Sequence, residues 1–269
     1  MPNKTNSIFD LESQEIVKKI VKLFFNNVKG KTPDVTNQNQ NHDGRKGHWL
    51  ETQMGIKHNS NNDADIYGYE MKNKTTSKTT FGDWSADYYI YKDEKYFPKD
   101  RSIVNRDKFM TIFGGPSTEY EGRYSWSGKC APKVKKYNDV GQTLIVDKNK
   151  NILALYSYSK DMRKDKNKII PKKMQIDGLI LARWDMLSIK NKLERKFNKR
   201  GWFKCEMDKK INIYMSIVFG GPIKFSSWIR GVENGLIYFD SGMHIGNIRP
   251  YSNWRADNKY WESLIVARY

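Results

Sequence analysis

The chain has 269 residues and a formal net charge of +18, from 48 Lys and Arg against 30 Asp and Glu. Its length allows one large domain or two lobes, and 38% hydrophobic with 13% aromatic residues supplies a real core, which excludes a disordered chain. Two distant cysteines, Cys130 and Cys205, without any CxxC or Cys/His pattern exclude a zinc module and a secreted disulfide framework. No apolar run approaches the roughly 18 residues of a membrane span, and the polar start from Met1 to Phe9 lacks a signal-peptide core. A cytosolic, cytoplasmic protein with reduced thiols and no membrane partner is expected. The charge surplus either serves a polyanion, with a phosphate backbone first among candidates, or reflects a Lys-rich surface without a partner.

Along the chain, Ile16, Val17, Ile20, Val21 and Phe24 recur at helical spacing. Asp10 or Ser7 caps that helix and Gly30 stops it. The polar connector from Thr36 to Gly47 is either a loop beside a substrate or an ordinary surface loop. His48 to Met54 reads as a short helix ended by Gly55, which carries Glu51. Ala64 to Lys72 is strand-like with a bend at Gly68. Lys74 to Lys78 is a polar run, and Ala86 to Tyr91 and Lys108 to Phe113 read as strands. Thr143 to Asp147 and Ile152 to Tyr158 bracket a turn and form a hairpin. A short apolar run covers Leu179 to Ala182. Met186 to Phe197 is helical, and Lys190, Lys192, Arg195, Lys196, Lys199 and Arg200 on and after it read as a solvated or phosphate-facing surface. Ile211 to Phe219 is a strand. The Asn234-Gly235 pair signals a turn between Trp228–Val232 and Leu236–Asp240. Phe113-Gly114-Gly115-Pro116 recurs as Phe219-Gly220-Gly221-Pro222, which suggests two similar strand exits. The tryptophans read as core, with Trp84 as the candidate for an exposed loop.

One stretch carries chemistry. Asp65-Ile66-Tyr67-Gly68-Tyr69-Glu70-Met71-Lys72 follows Gly47-His48-Trp49-Leu50-Glu51. In a strand, Glu70 and Lys72 project from one face, while Ile66, Tyr67, Tyr69 and Met71 can bury the other. Paired carboxylates can hold Mg²⁺, which takes one or two protein carboxylates and keeps several waters. A neighbouring ammonium can orient or deprotonate a water, or stabilise charge beside a phosphate. The alternative is an exposed strand of alternating charge. His42, His48 and His58 flank the stretch without forming a triad.

The run from Gly47 to Lys74 resembles the catalytic segment of MutH-like nucleases. It is most similar to the MvaI/BcnI branch of type II restriction endonucleases in the PD-(D/E)xK group. The resemblance implies that Asp65 and Glu70 are metal-binding carboxylates, Lys72 the catalytic lysine and Glu51 an upstream helix glutamate. Asp63, seven residues before Glu70, is the rival to Asp65. The C-terminal run Tyr238 to Arg255 is similar to the late strand and basic loop that such enzymes use on DNA. Arg230, His244, Asn247, Arg249, Asn253 and Arg255 in and before it have the side chains that pair with base edges or phosphates.

The implied fold class is α/β, a restriction-endonuclease-like core with a central mixed sheet flanked by helices, plus a recognition lobe. The division expected is 1–165 mainly catalytic and 166–269 mainly recognition, with one continuous domain left open. The implied function is that of a type II restriction endonuclease, hydrolysing double-stranded DNA at a specific site with Mg²⁺ and leaving 5′-phosphate ends. The resemblance further implies a monomer with a cognate methyltransferase acting on the same site. The rivals are a MutH-like strand-nicking repair enzyme and a basic nucleic-acid-binding protein without catalysis.

Overall fold

The computed structural model describes residues 10–34, 36, 45–56, 62–73, 77–117, 120–208 and 210–269. Ser7, His42, His58 and most of the 36–47 connector and the 74–78 run lie outside them. The chain begins with α1 (Leu11–Asn27), α2 (Arg45–Gln53), β1 (Tyr69–Met71), β2 (Lys78–Asp83) and β3 (Tyr88–Tyr89). It continues through α3 (Ser102–Phe113), β4 (Gly115–Pro116), β5 (Tyr124–Trp126), β6 (Val140–Val146) and β7 (Ile152–Asp161). Next come α4 (Lys166–Ile169), β8 (Leu179–Trp184), α5 (Met186–Phe197), β9 (Gly201–Asp208) and β10 (Ile213–Gly220). It ends with α6 (Phe225–Glu233), β11 (Ile237–Ser241), β12 (Met243–His244), β13 (Ser252–Asp257), α7 (Asn258–Ser263) and β14 (Ile265–Arg268).

Two compact units form, and both are discontinuous in sequence. One comprises 1–79, 193–224 and 258–269, the other 80–192 and 225–257. Each unit therefore draws residues from both sides of residue 165. The cause is strand pairing: β1 pairs in parallel with β9, and a parallel neighbour needs a long crossover. Residues 80–192, the larger of the second unit's two segments, are inserted in that crossover.

The first unit is built on a mixed sheet in the order β1-β9-β10-β14. The pairs after β1–β9 are antiparallel. On one face, Val17, Ile20 and Phe24 of α1 and Leu50 of α2 pack with Tyr69, Met71, Phe203 and Cys205. Asp10 caps α1 by accepting from Ser13 N at 2.7 Å. Because side chains alternate along a strand, Glu70, Trp202 and Lys204 belong to the opposite face. There Trp202 meets Trp261 of α7 edge-on and Trp261 tilts against Phe197 of α5.

The second unit holds sheets in the orders β11-β13-β2, β12-β5-β4 and β3-β8-β7-β6. Its core is aromatic: Trp184, Trp254, Phe239, Trp126 and Trp228 make a chain of ring contacts. The β6–β7 hairpin pairs as expected. Its turn is held by Asp147 Oδ1, which accepts from the N–H groups of Asn149 and Asn151 at 2.8 and 2.9 Å.

Four sequence readings are corrected. Lys108 to Phe113 is the second half of α3, not a strand. Its buried face is Asn105, Arg106, Phe109, Met110 and Phe113, and the two polar members conceal the helical period. Trp228 to Val232 lies in α6, so Asn234-Gly235 closes a helix and does not join a hairpin. Gly235 (φ +76°) donates to Val232 O and Leu236 N to Gly231 O, both at 2.9 Å, the C-terminal closure glycine favours. The two Phe-Gly-Gly-Pro runs are not similar strand exits, because the first ends helix α3 and the second ends strand β10. Trp84 is buried, 3% exposed.

Candidate active site

The site forms where the chain reverses just before β1. Ile66 and Tyr69 exchange both backbone hydrogen bonds, at 3.0 and 2.8 Å. Tyr67 and Gly68 between them have φ of +50° and +82°, the positive pair that a type I′ reversal requires. The reversal brings Asp65 back beside β1, where Asp65 Oδ2 accepts the Met71 N–H at 2.8 Å. β1 is the edge of its sheet, so this carboxylate occupies an edge donor that no neighbouring strand takes. The four-residue spacer between Asp65 and Glu70 is the length that this reversal needs. A Cβ at Gly68 would meet nothing closer than 3.5 Å, so Gly68→Ala is opposed by backbone strain alone. Urea unfolding should show a loss of about 1–2 kcal/mol for this variant.

Glu70 and Lys72 are both buried, 2% and 6% exposed, and do not line an open cleft wall. Lys72 Nζ lies 2.8 Å from Glu70 Oε1 and 5.3 Å from the centre of the Phe197 ring. A second ammonium, Lys196 Nζ from α5, donates to the same oxygen at 2.9 Å. Glu70 Oε2 is buried and has no hydrogen-bond partner among the described residues. Lys204, on the neighbouring strand, offers a contrast. It is equally buried but meets carboxylates of Glu262 at 2.7 Å and Glu206 at 3.1 Å.

The electrostatics follow from this crowding. Burial, and then the Glu70 charge, push the Asp65 carboxyl up to about 6. Burial would also raise Glu70, but Lys72 and Lys196 outweigh it and hold it below the usual carboxylate range. Burial lowers Lys72; Glu70 opposes that shift and Lys196 adds to it.

The other predicted residues divide clearly. Asp63 is on the surface, paired with Arg195 at 3.0 Å, so the reversal turns Asp65 toward Glu70 and leaves its rival outside. Glu51 sits half-buried on α2, beside the core residue Leu50. It makes no three-carboxylate cluster with Asp65 and Glu70, because no group of three acidic, His or Cys side chains able to hold a metal occurs among the described residues. Lys196, read as a surface residue, is the member that sequence reasoning missed. Its only available signal was its place one residue before Phe197 on an amphipathic helix.

The basic tail lies in the second unit. His244 and Asn247 bond each other: Asn247 Oδ1 accepts from His244 N at 2.7 Å, and Asn247 Nδ2 meets His244 Nε2 at 2.8 Å. His244 Nδ1 is taken by Ile245 O at 2.7 Å. Both therefore build the loop, with their polar atoms engaged within it. Arg249 is 2.6 Å from Asp83 and lies over the Tyr251 ring. Arg255 pairs with Asp240 at 3.0 Å, on the β11–β13 ladder where Asn253 also lies opposite Asp240. Arg230 Nε donates to Ser226 O on its own helix at 3.2 Å.

A divalent cation fits the Asp65–Glu70 pair. One oxygen of Glu70 is buried and lacks a partner, and Asp65 is disfavoured as an anion in its present surroundings. Both features would be relieved by a positive charge between them.

Residues 28–269 match the family model of the LlaMI restriction endonuclease. The type II restriction enzyme ScrFI of Lactococcus lactis subsp. cremoris is 48% identical over 262 residues, spanning 92% of this chain and 96% of that protein. Among solved structures, the restriction endonuclease MvaI–cognate DNA substrate complex aligns with a TM-score of 0.56 at 12% identity, covering 97% of this chain and 98% of that one. At that identity the match concerns the fold, which is α/β and restriction-endonuclease-like. The resemblance carried by Gly47 to Lys74 thus extends to the chain as a whole. With a family match over nearly its full length and a close type II relative, the chain belongs to the LlaMI restriction endonuclease family and is a type II restriction endonuclease.

Proposed function

We propose that this enzyme hydrolyses phosphodiester bonds of double-stranded DNA at a short specific sequence, using Mg²⁺ and leaving 5′-phosphate ends. The observation that carries the proposal is Glu70, buried with Lys72 on one oxygen, the other oxygen without a hydrogen-bond partner among the described residues, and its charge felt by Asp65. Asp65 and Glu70 would hold the cation. When bound, Mg²⁺ supplies charge neutralisation and an acidified water. Asp65 presents its carboxylate from a rigid reversal. Lys72 would orient the attacking water or stabilise charge on the phosphate, and its burial favours giving up its proton. The Phe197 ring excludes bulk water from its ammonium. A neighbour of the same fold was solved with its cognate DNA, which together with the net charge of +18 supports a duplex substrate.

In this reading the first unit is catalytic and the second reads DNA, the enzyme acts as a monomer, and a methyltransferase protects the same site. Incubating the protein with unmethylated phage DNA tests it: discrete fragments should appear with Mg²⁺ and not with EDTA, and their ends should ligate without phosphorylation. Only nicked circles would favour a strand-nicking enzyme.

Recognition can be tested separately. Arg249, stacked on Tyr251, is held in one direction and is 59% exposed, whereas Arg255 is 25% exposed. Arg249→Ala should cost about 1–3 kcal/mol at one base position, read as a site-selective loss across single-substitution substrates. A uniform loss on every sequence would assign Arg249 to a phosphate.

A further inference from the structure

Glu70 carries more positive charge than one catalytic lysine explains. Lys72 and Lys196 both reach Oε1, at 2.8 and 2.9 Å, and neither reaches Oε2. Two ammoniums on one oxygen repel each other, and Oε2 was free to accept one of them. Lys196 is mounted on a helix. It comes from the last turn of α5, which is anchored by the buried residues Ile189, Leu193 and Phe197, whereas Lys72 lies just beyond the end of a three-residue edge strand.

We propose that Lys196 is a positioning residue that clamps Glu70 Oε1. The clamp occupies Oε1 and leaves Oε2 without a hydrogen-bond partner among the described residues. It also leaves Glu70 neutralised when Lys72 leaves Oε1 for the scissile phosphate or its attacking water. Without the clamp, Lys72 stays locked to Glu70 as the sole partner of a buried charge. The inference rests on the metal-nuclease reading above and concerns the division of labour within that site.

The test compares Lys196→Met and Lys196→Arg with the parent enzyme. Single-turnover cleavage should fall about 100-fold in Lys196→Met with DNA affinity unchanged. Mg²⁺ titrated calorimetrically into the DNA-free protein should bind that variant more tightly, because one competing positive charge is gone. Slower cleavage with a better-held cation separates a clamp from a merely structural ion pair, whose loss would weaken both. Lys196→Arg keeps a cation on Oε1 and should cleave within about tenfold of the parent. The proposal is overturned if Lys196→Met cleaves like the parent, if its Mg²⁺ affinity falls, or if a folded Lys196→Arg is as slow as Lys196→Met. Should Lys196→Met fail to fold, the Lys196→Arg rate decides alone. Should the parent enzyme show no Mg²⁺-dependent cleavage, the nuclease reading itself fails, and the calorimetry still shows whether Lys196 opposes a cation at Glu70.

Discussion

In chelator-treated protein at pH 8, Asp65→Asn is expected to melt above the parent while having lost cleavage by about 10³-fold or more. The Asp65 carboxyl stands at about 6 in the folded chain against 3.8 ordinarily, because burial and then the Glu70 charge disfavour its anion. A folded value raised above the unfolded one means that the folded state binds more protons between the two. Stability is then lost as pH rises from about 4 to about 6 and stays lost above it. Two pH units correspond to about 3 kcal/mol, an upper figure for a partly exposed group. Asparagine has no charge to disfavour and can still accept the Met71 N–H through its own oxygen. The advantage of Asp65→Asn should therefore fade below about pH 4. Urea unfolding at pH 8 and pH 4 checks this. An unchanged or lowered stability at pH 8 would mean that Asp65 is not held as a penalised anion.

Glu70→Gln should lose cleavage as fully but with the opposite sign in stability. Glu70 is the shared partner of Lys72 and Lys196, whose side chains are 7% and 19% exposed. Removing one side of a buried pair leaves uncompensated charge, at a cost of about 3–5 kcal/mol. Proton release from Lys72, whose affinity for the proton burial already lowers, would limit that cost. The result to look for is a lower urea midpoint at pH 8 with site-specific DNA binding retained in whatever fraction stays folded. If Glu70→Gln were as stable as the parent, the two ammoniums could not be gathered on that carboxylate as described. The pair of variants is more telling than either alone. Two neighbouring carboxylates, both required for cleavage, would pull stability in opposite directions because one is over-neutralised and the other under-neutralised.

Much of the scaffold was legible because local patterns agreed with tertiary packing. The period of Val17, Ile20 and Phe24 predicts α1, and Asp10, one of its two candidate caps, is the cap observed. Met186 to Phe197 matches α5 at both ends, and the β6–β7 hairpin declares itself by its turn. The failures have equally local causes. In α3 two buried polar residues interrupt the apolar period. In α6 the Asn-Gly signal is shared between hairpin turns and helix C-termini, and only the fold selects between them. Trp84 looked exposed because its neighbours are Gly, Asp and Ser, yet Trp184 Nε1 donates to its carbonyl at 2.8 Å.

The order of residues alone determined which groups are available for chemistry: an Asp, a four-residue spacer containing the Tyr67-Gly68 reversal, then Glu70 and Lys72 on alternate positions. It also determined the basic surplus. What only the tertiary structure decided is which acid faces inward and which distant cation joins it. Asp63 and Asp65 are the same residue type two positions apart, and the reversal that follows both turns Asp65 back beside β1 while Asp63 pairs with Arg195. Lys196 stands 126 residues from Glu70, and nothing local distinguishes it from the lysines around it. Its role depends on β1 pairing with a strand from the far end of the chain, and long-range pairing of that kind is set by burial of whole faces, which short windows of sequence do not record.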